Sequence, residues 1–273
     1  MSERLLRWRR RLKPLARRLG LTSAHLWQPF ALARYHGKQR RNADYRAWLA
    51  SRGERWISEH WGHYVVEDEF TREHLASQLF ELTELLRHRL GPLDDSVRVL
   101  DAGASDGAFL SLLGARHGVG VNFLIACARR IRDDGQCAVA ADVERLPFAS
   151  RSVDYVICCE TLEHVANPIW TLNELARVCR RRIFVTIPWL PATRINARPP
   201  GWPEEEGHVF EFSEADFVKV LTHTSVRMTH SGFVQVFPEP RNPLLRWWLG
   251  IWMYPWYFPK LQYYELEPVI ERN

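Results

Sequence analysis

No stretch of the chain is both long and free of charge. The longest near the C-terminus, Trp247 to Pro259, spans 13 residues and holds two prolines. A bilayer-crossing helix needs ~20 apolar residues, so no spanning helix is expected. The N-terminus lacks an apolar core followed by a small-residue cleavage site and does not read as a secretory leader. Cysteine is scarce and odd in number: Cys127, Cys137, Cys158, Cys159 and Cys179. No pair stands as C-x-x-C and no His-rich tract accompanies them. This argues against a disulfide scaffold and a zinc site, fits a reducing compartment, and leaves no metal expected. Cys158 and Cys159, adjacent in an apolar run, read as small buried side chains of a strand. Acid is nearly missing from residues 1–41, which hold 12 Lys/Arg against Glu3 alone, while the remainder carries 31 of the 32 acids and 25 of the 37 bases. The net charge of +5 is therefore a basic arm on a mildly acidic body. Such an arm suits lipid headgroups, nucleic acid or an acidic protein face, or is simply a solvated leader.

With 273 residues, 46% hydrophobic and 25% charged, the chain has an ordinary globular composition, which excludes wholesale disorder and fibrous repeats. Its length fits one large domain with an appended segment. In residues 5–19, Leu5, Trp8, Leu12, Leu15 and Leu19 lie among arginines, an amphipathic pattern with a basic face that Pro14 should kink. Trp48, Trp56 and Trp61 suggest further helices. Leu75, Leu79, Leu82 and Leu86 predict a helix over 71–90, capped by Thr71 and ended by Gly91-Pro92. From Val97 the pattern becomes strand–helix alternation. Strands are predicted at 97–101, 119–122, 138–141, 153–159 and 183–187, with helices opening at Phe109, running through Arg132, and at 168–179. This alternation implies a doubly wound, Rossmann-like α/β domain, its mostly parallel sheet covered by helices on both faces. A helix over 213–221 is capped by Ser213. Runs 226–230 and 233–237 flank Ser231-Gly232, read as a two-residue hairpin turn. The expected organisation is a basic helical extension (1–69), the α/β domain (70–240) and an aromatic-rich C-terminal extension (241–273).

The most informative segment is Val99-Leu100-Asp101-Ala102-Gly103-Ala104-Ser105-Asp106-Gly107-Ala108-Phe109. A strand ends in an acid, a small-residue loop follows and a helix begins. Gly103 permits a tight turn and close approach of backbone to a ligand, and Gly107 close packing where the helix starts. A pyrophosphate site would show G-x-G-x-x-G facing a helix N-terminus. Here the loop reads D-x-G-x-S-x-G, and the acid suits a cationic amino-acid ligand instead.

This segment resembles the class I S-adenosylmethionine-dependent methyltransferases, and the resemblance extends over 90 residues. Val119-Gly120-Val121-Asn122 is similar to the family's second strand, which usually ends in a carboxylate for the ribose hydroxyls. Asn122 puts a neutral acceptor there, a weaker contact. Ala141-Asp142-Val143-Glu144-Arg145-Leu146-Pro147-Phe148 resembles the family's "aD-x-x-x-LPF" segment. It implies that Asp142 accepts from the adenine amino group, with the Val143 backbone beside the ring. Residues 153–165, ending Leu162-Glu163-His164-Val165, resemble "fD-x-V-x-x-x-x-x-LEHV", and 183–188 the fifth strand. The resemblance implies a seven-stranded sheet, S-adenosyl-L-methionine as cofactor, and a cofactor site built from Asp101, Gly103, Ala104, Ser105, Gly107, Asn122, Asp142, Val143 and Glu160, with Glu160 toward the methionine end.

Methyl transfer from a sulfonium is an in-line displacement, so orientation supplies much of the rate, and an oxygen or nitrogen acceptor must also lose a proton. His164 follows the fourth strand at the ligand-binding edge, and imidazole is the natural base at pH 7. It reads as a catalytic base or as a helix-start histidine, and Glu163 can cap the helix that follows. His208, in Gly207-His208-Val209-Phe210, reads as a second catalytic candidate aimed across the acceptor pocket or as a loop anchor. The Pro-rich segment 189–206 reads as a lid. Residues 243–264 are crowded with Trp and Tyr, which favour membrane interfaces. Together with the basic arm they suggest a cytoplasmic enzyme held peripherally on an anionic membrane surface through 1–41 and 243–264. The same aromatics suit packing on the enzyme itself or a dimer contact. The acceptor expected is a small molecule, a sugar or a lipid-linked glycan. A nucleic-acid (RNA) methyltransferase is the alternative, disfavoured because no N/D-P-P-aromatic motif is present. A non-catalytic binding module that retains the fold is the third reading.

Overall fold

The computed structural model describes residues 69–190, 192–195, 208–235 and 260–269. The expectations for residues 1–68, for most of the lid segment and for the aromatic run before Lys260 lie outside the described residues.

Helix α1 (Glu69–Leu90) forms where the leucine repeat predicts it. It ends at Gly91, which takes φ 70° and donates its N–H to the Arg87 carbonyl, a left-handed stop that glycine adopts without strain. Strands β1 (Arg98–Ala102), β2 (His117–Asn122), β3 (Cys137–Ala140), β4 (Val153–Cys159) and β5 (Cys179–Pro188) pair in parallel in the order β3-β2-β1-β4-β5. Helices α2 (Ala108–Leu113), α3 (Ile125–Asp133) and α4 (Pro168–Val178) connect them. Asn167 caps α4 by accepting from the Trp170 N–H, and Pro168 occupies the first turn, where a missing N–H costs nothing.

Successive strand residues face opposite sides, and both sides are buried, as a mostly parallel sheet requires. Leu100, Val156, Val185 and Tyr264 join one core cluster with Phe217. Val99, Ile157 and Phe184 join another with Leu82 and Leu86 of α1. Helix α1 thus completes one face of the domain. Cys158, Cys159 and Cys179 are buried, and all five cysteines are free.

Two short strands, β6 (Arg194–Ile195) and β7 (Phe210–Glu211), form a separate antiparallel pair. Helix α5 (Glu214–Leu221) follows, capped by Ser213. The expected hairpin at Ser231-Gly232 does not form. Strand β8 (Val226–Gln235) runs straight through it. Its partner is β9 (Lys260–Pro268), which inserts antiparallel between β5 and β8 and completes a seven-stranded sheet. Gly232 serves close strand packing: a Cβ there would lie 2.6 Å from the Tyr263 ring. The sheet therefore runs beyond residue 240. Tyr264, one of the aromatics read as facing a membrane or packing on the enzyme itself, is a core side chain whose hydroxyl donates to Gln262 Oε1 at 2.6 Å.

Candidate active site at the carboxyl edge of the sheet

The parallel strands end at one edge, where Ala102 pairs with Val121, Asn122 with Ala140 and Cys159 with Thr186. The loop leaving β1 takes positive φ at Gly103, Ser105 and Gly107 (91°, 49° and 78°). Three of its N–H groups turn inward: Gly103 and Ala104 both donate to the Val121 carbonyl, and Gly107 to the Ala104 carbonyl. Donors spent inside the fold cannot cradle a phosphate. The φ of 91° at Gly103 fits the expected tight turn. A Cβ at this position would lie 2.1 Å from Thr161 Oγ1, so the glycine also admits the Thr161 side chain. Gly107 matches its expectation of close helix packing, since a Cβ would meet Gln136 and Ile131.

Asp101 is 2% exposed, and its Oδ2 has no hydrogen-bond partner. Burial, helped by the Asp106 charge, pushes its carboxyl up to about 8. An orphaned carboxyl oxygen of this kind is a place for a donor, above all a cationic one.

Asn122, at the end of β2, accepts the Leu124 N–H at 2.8 Å. The acceptor expected to face a ribose is thus partly committed to its own turn. The next residue, Phe123, is 67% exposed, and Ile125 58%. Apolar side chains so bare beside a polar edge are the informative exception to ordinary burial. Asp142 accepts the Glu144 N–H at 2.9 Å through Oδ1 and is exposed, while Val143 is buried in the core beside it.

Past β4 the backbone takes a positive φ of 51° at Glu160, uncommon for a residue with a side chain and typical of functional edges. Thr186 Oγ1 donates to Glu160 Oε1 at 3.0 Å. Burial raises the Glu160 carboxyl to about 7 against the lowering by that bond and one from Gln78. Glu163 does not cap α4. Its carbonyl accepts the N–H groups of Val209 and Phe210, fastening residues 208–212 to the loop after β4. Its carboxyl is 1% exposed, neither oxygen has a partner, and burial followed by the Glu160 charge drives its pKa well up.

The two candidate histidines meet. The His164 and His208 rings pack edge to face with centroids 4.9 Å apart. His208 Nδ1 lies 3.0 Å from Glu211 Oε1, and Glu211 pairs with Arg194 at 2.6 Å. His164, His208 and Glu163 each offer a ligand atom within 4.8 Å of the others.

The β1 loop, Asn122, Asp142, Val143 and Glu160 thus lie along the strand ends as expected, with His164 and His208 grouped around Glu163. Sequence reasoning missed Phe123, Thr161 and Glu211. A bare aromatic directly after the strand-ending Asn122 signals the first. The second and third depend on contacts between distant segments.

A β3-β2-β1-β4-β5 parallel order, an antiparallel pair on its far side, and this loop after β1 define the fold of class I S-adenosylmethionine-dependent methyltransferases. Residues 100–185 match the family described as "Methyltransferase domain". The chain is 29% identical over 104 residues to an uncharacterized protein of Methanocaldococcus jannaschii, a match covering 38% of this chain and 45% of that protein. The matched segment thus spans under half the length of that curated relative. Among solved structures, the fold is similar to 1,6-didemethyltoxoflavin-N1-methyltransferase of Burkholderia thailandensis, solved with bound 1,6-didemethyltoxoflavin and S-adenosylhomocysteine (18% identity, 84% of this chain and 92% of that one, TM-score 0.54). It is also similar to the cyclase SpnF (17% identity, 71% and 82%, TM-score 0.51).

Proposed function

We propose that this protein transfers a methyl group from S-adenosylmethionine to an oxygen or nitrogen of a small or lipid-linked acceptor, a sugar among the candidates. The observation that carries the reading is Asp101, a buried carboxyl at the end of β1 with one oxygen unmatched. An α-ammonium group supplies the missing donor and the missing positive charge together. The rest of the edge fits the same ligand. Three N–H groups of the β1 loop are spent inside the fold and are not available to a diphosphate, Phe123 offers a bare apolar face for a purine, and Asp142 keeps one oxygen uncommitted by its turn.

The chemistry supplied by the bound cofactor is a sulfonium methyl, whose C–S bond breaks as the bond to the acceptor forms, the electron pair going to sulfur. The chain's own residues hold the reactants in line and provide for the acceptor's proton. In this reading His164 and His208, whose rings pack together, deal with that proton, and Glu211 orients the His208 ring through Nδ1. The proton ends in solvent.

The charge of residues 1–41 supports work at an anionic, cytoplasmic membrane face. No helix among the described residues is long and apolar enough to cross a membrane.

Calorimetry with S-adenosylhomocysteine, followed by a labelled-methyl screen of lipid, sugar and RNA extracts, tests the proposal. One-site binding and label in the lipid or sugar fraction are expected. Label in RNA alone replaces the acceptor class, and absence of cofactor heat overturns the enzymatic reading.

A further inference from the structure

We propose that Glu163, His164 and His208 bind a divalent transition-metal cation, Zn²⁺ or Mn²⁺, beside the acceptor position. The inference deepens the methyltransferase reading and rests on it for the site's role, but not for the binding itself.

Two independent observations point to a cation. The first is geometric. One carboxylate and two imidazoles present ligand atoms within 4.8 Å of one another. Bonds of about 2.0–2.2 Å in a tetrahedral site place neighbouring ligand atoms about 3.4 Å apart. Closing the set onto one ion therefore asks for side-chain movements on the order of 1 Å, within one rotamer well. The second is the state of Glu163. Its carboxyl is 1% exposed and both oxygens lack hydrogen-bond partners. A buried carboxyl left bare is costly, and the nearby acids Glu160 and Glu211 aggravate it. A cation removes the deficit of both oxygens.

The surroundings are arranged as a metal ligand requires. Glu211 Oε1 engages His208 Nδ1 at 3.0 Å, the usual carboxylate–histidine backing of a metal ligand. Arg194 anchors Glu211 from behind at 2.6 Å. The two backbone bonds to the Glu163 carbonyl hold the ligand-bearing segments together. Two imidazoles and one carboxylate are a borderline donor set, suited to zinc or manganese rather than to calcium. Three protein ligands leave a position open, and an acceptor hydroxyl occupying it becomes more acidic at neutral pH. The two imidazoles then act on the acceptor's proton through the ion rather than by taking it themselves.

The full-length protein, stripped with chelator, is titrated with ZnCl₂ by calorimetry and with MnCl₂ under electron paramagnetic resonance, where bound Mn²⁺ loses the free-ion signal. One ion per chain is expected. Glu163→Gln and His208→Ala should each lower affinity ~100-fold or more. Glu211→Gln, which keeps every ligand, should lower it about 10- to 100-fold. His230→Ala, on the far strand β8, should leave it unchanged. Thermal unfolding of each variant identifies any that fails to fold, and the Glu211→Gln result then decides. An undiminished Mn²⁺ signal with no Zn²⁺ heat overturns the proposal, as does binding that all the site variants retain. S-adenosylhomocysteine titrated in chelator separates the two readings. Cofactor binding without metal binding sinks the cation site alone, and metal binding without cofactor binding sinks the methyltransferase reading.

Discussion

Asp101 would link protonation to the proposed ligand. Its carboxyl, normally near 3.8, is pushed up to about 8 by burial. The native state therefore holds a proton that the unfolded chain releases, and stability falls as pH rises from about 4 to about 8. Asp101→Asn removes this titration, so its melting temperature should exceed the wild type's at pH 8 and match it near pH 4. A cationic ligand inverts the preference by stabilising the carboxylate. Cofactor affinity should then climb as pH rises from 6 to 8, by up to about tenfold per unit, and calorimetry in buffers of different ionisation enthalpy should register proton release. The Asn variant should bind weakly with a flat profile. A flat profile in the wild type would remove Asp101 from the site. Gly103 makes a second prediction at this scale. Alanine there must hold φ 91° and sit 2.1 Å from Thr161 Oγ1, so Gly103→Ala should cost more than about 2 kcal/mol in urea unfolding. Thr161→Ala should recover part of that cost in the double variant but not the backbone strain, giving non-additivity of about 1 kcal/mol.

At the scale of elements, the sequence was most legible where the signal is local. The strand read at 153–159 is β4 to the residue. Helix α1 follows from its leucine spacing, and α5 from Ser213 as its cap. The loop between β1 and α2 was readable because acid, glycines and helix start all fall within a few residues. What escaped was decided by distant partners. Ser231-Gly232 looks like a turn until β9, some thirty residues on, pairs with β8 on both sides of it, with a one-residue shift between Met228 and His230. The isolation of Glu163 was equally hidden, because it arises only when residues 208–212 close over the loop after β4. The role of α1 is local in sequence but not in consequence. Leu82 and Leu86 are each 2% exposed against Val99, Ile157 and Phe184, so Leu86→Ala should cost about 2–5 kcal/mol. A loss below about 1 kcal/mol in chemical denaturation would mean that the helix is dispensable to the sheet's core.

At the scale of the whole molecule, the two ends of the chain make opposite demands. Strand β9 lies between β5 and β8, and Leu261, Tyr264 and Leu266 are almost wholly buried. Removing it strands the hydrogen-bonding groups of two strands and opens the core beside Phe217, against a net stability of only about 5–15 kcal/mol for a domain. A chain ended after residue 240 should therefore fail to show a cooperative melt. A peripheral C-terminal extension would instead be removed without consequence for the fold. The basic arm obeys a different physics. Its 12 Lys/Arg against one acid favour an anionic surface through forces that salt screens within about 10 Å at 0.1 M. Deleting residues 1–41 should leave cofactor binding and the melting temperature near those of the full chain. It should abolish flotation with phosphatidylserine vesicles, and the intact chain's flotation should weaken between 0.05 and 0.5 M salt. Equal flotation with and without the arm would assign membrane contact, if any, to the aromatic residues before Lys260. No flotation of the intact chain would leave a soluble acceptor as the remaining choice.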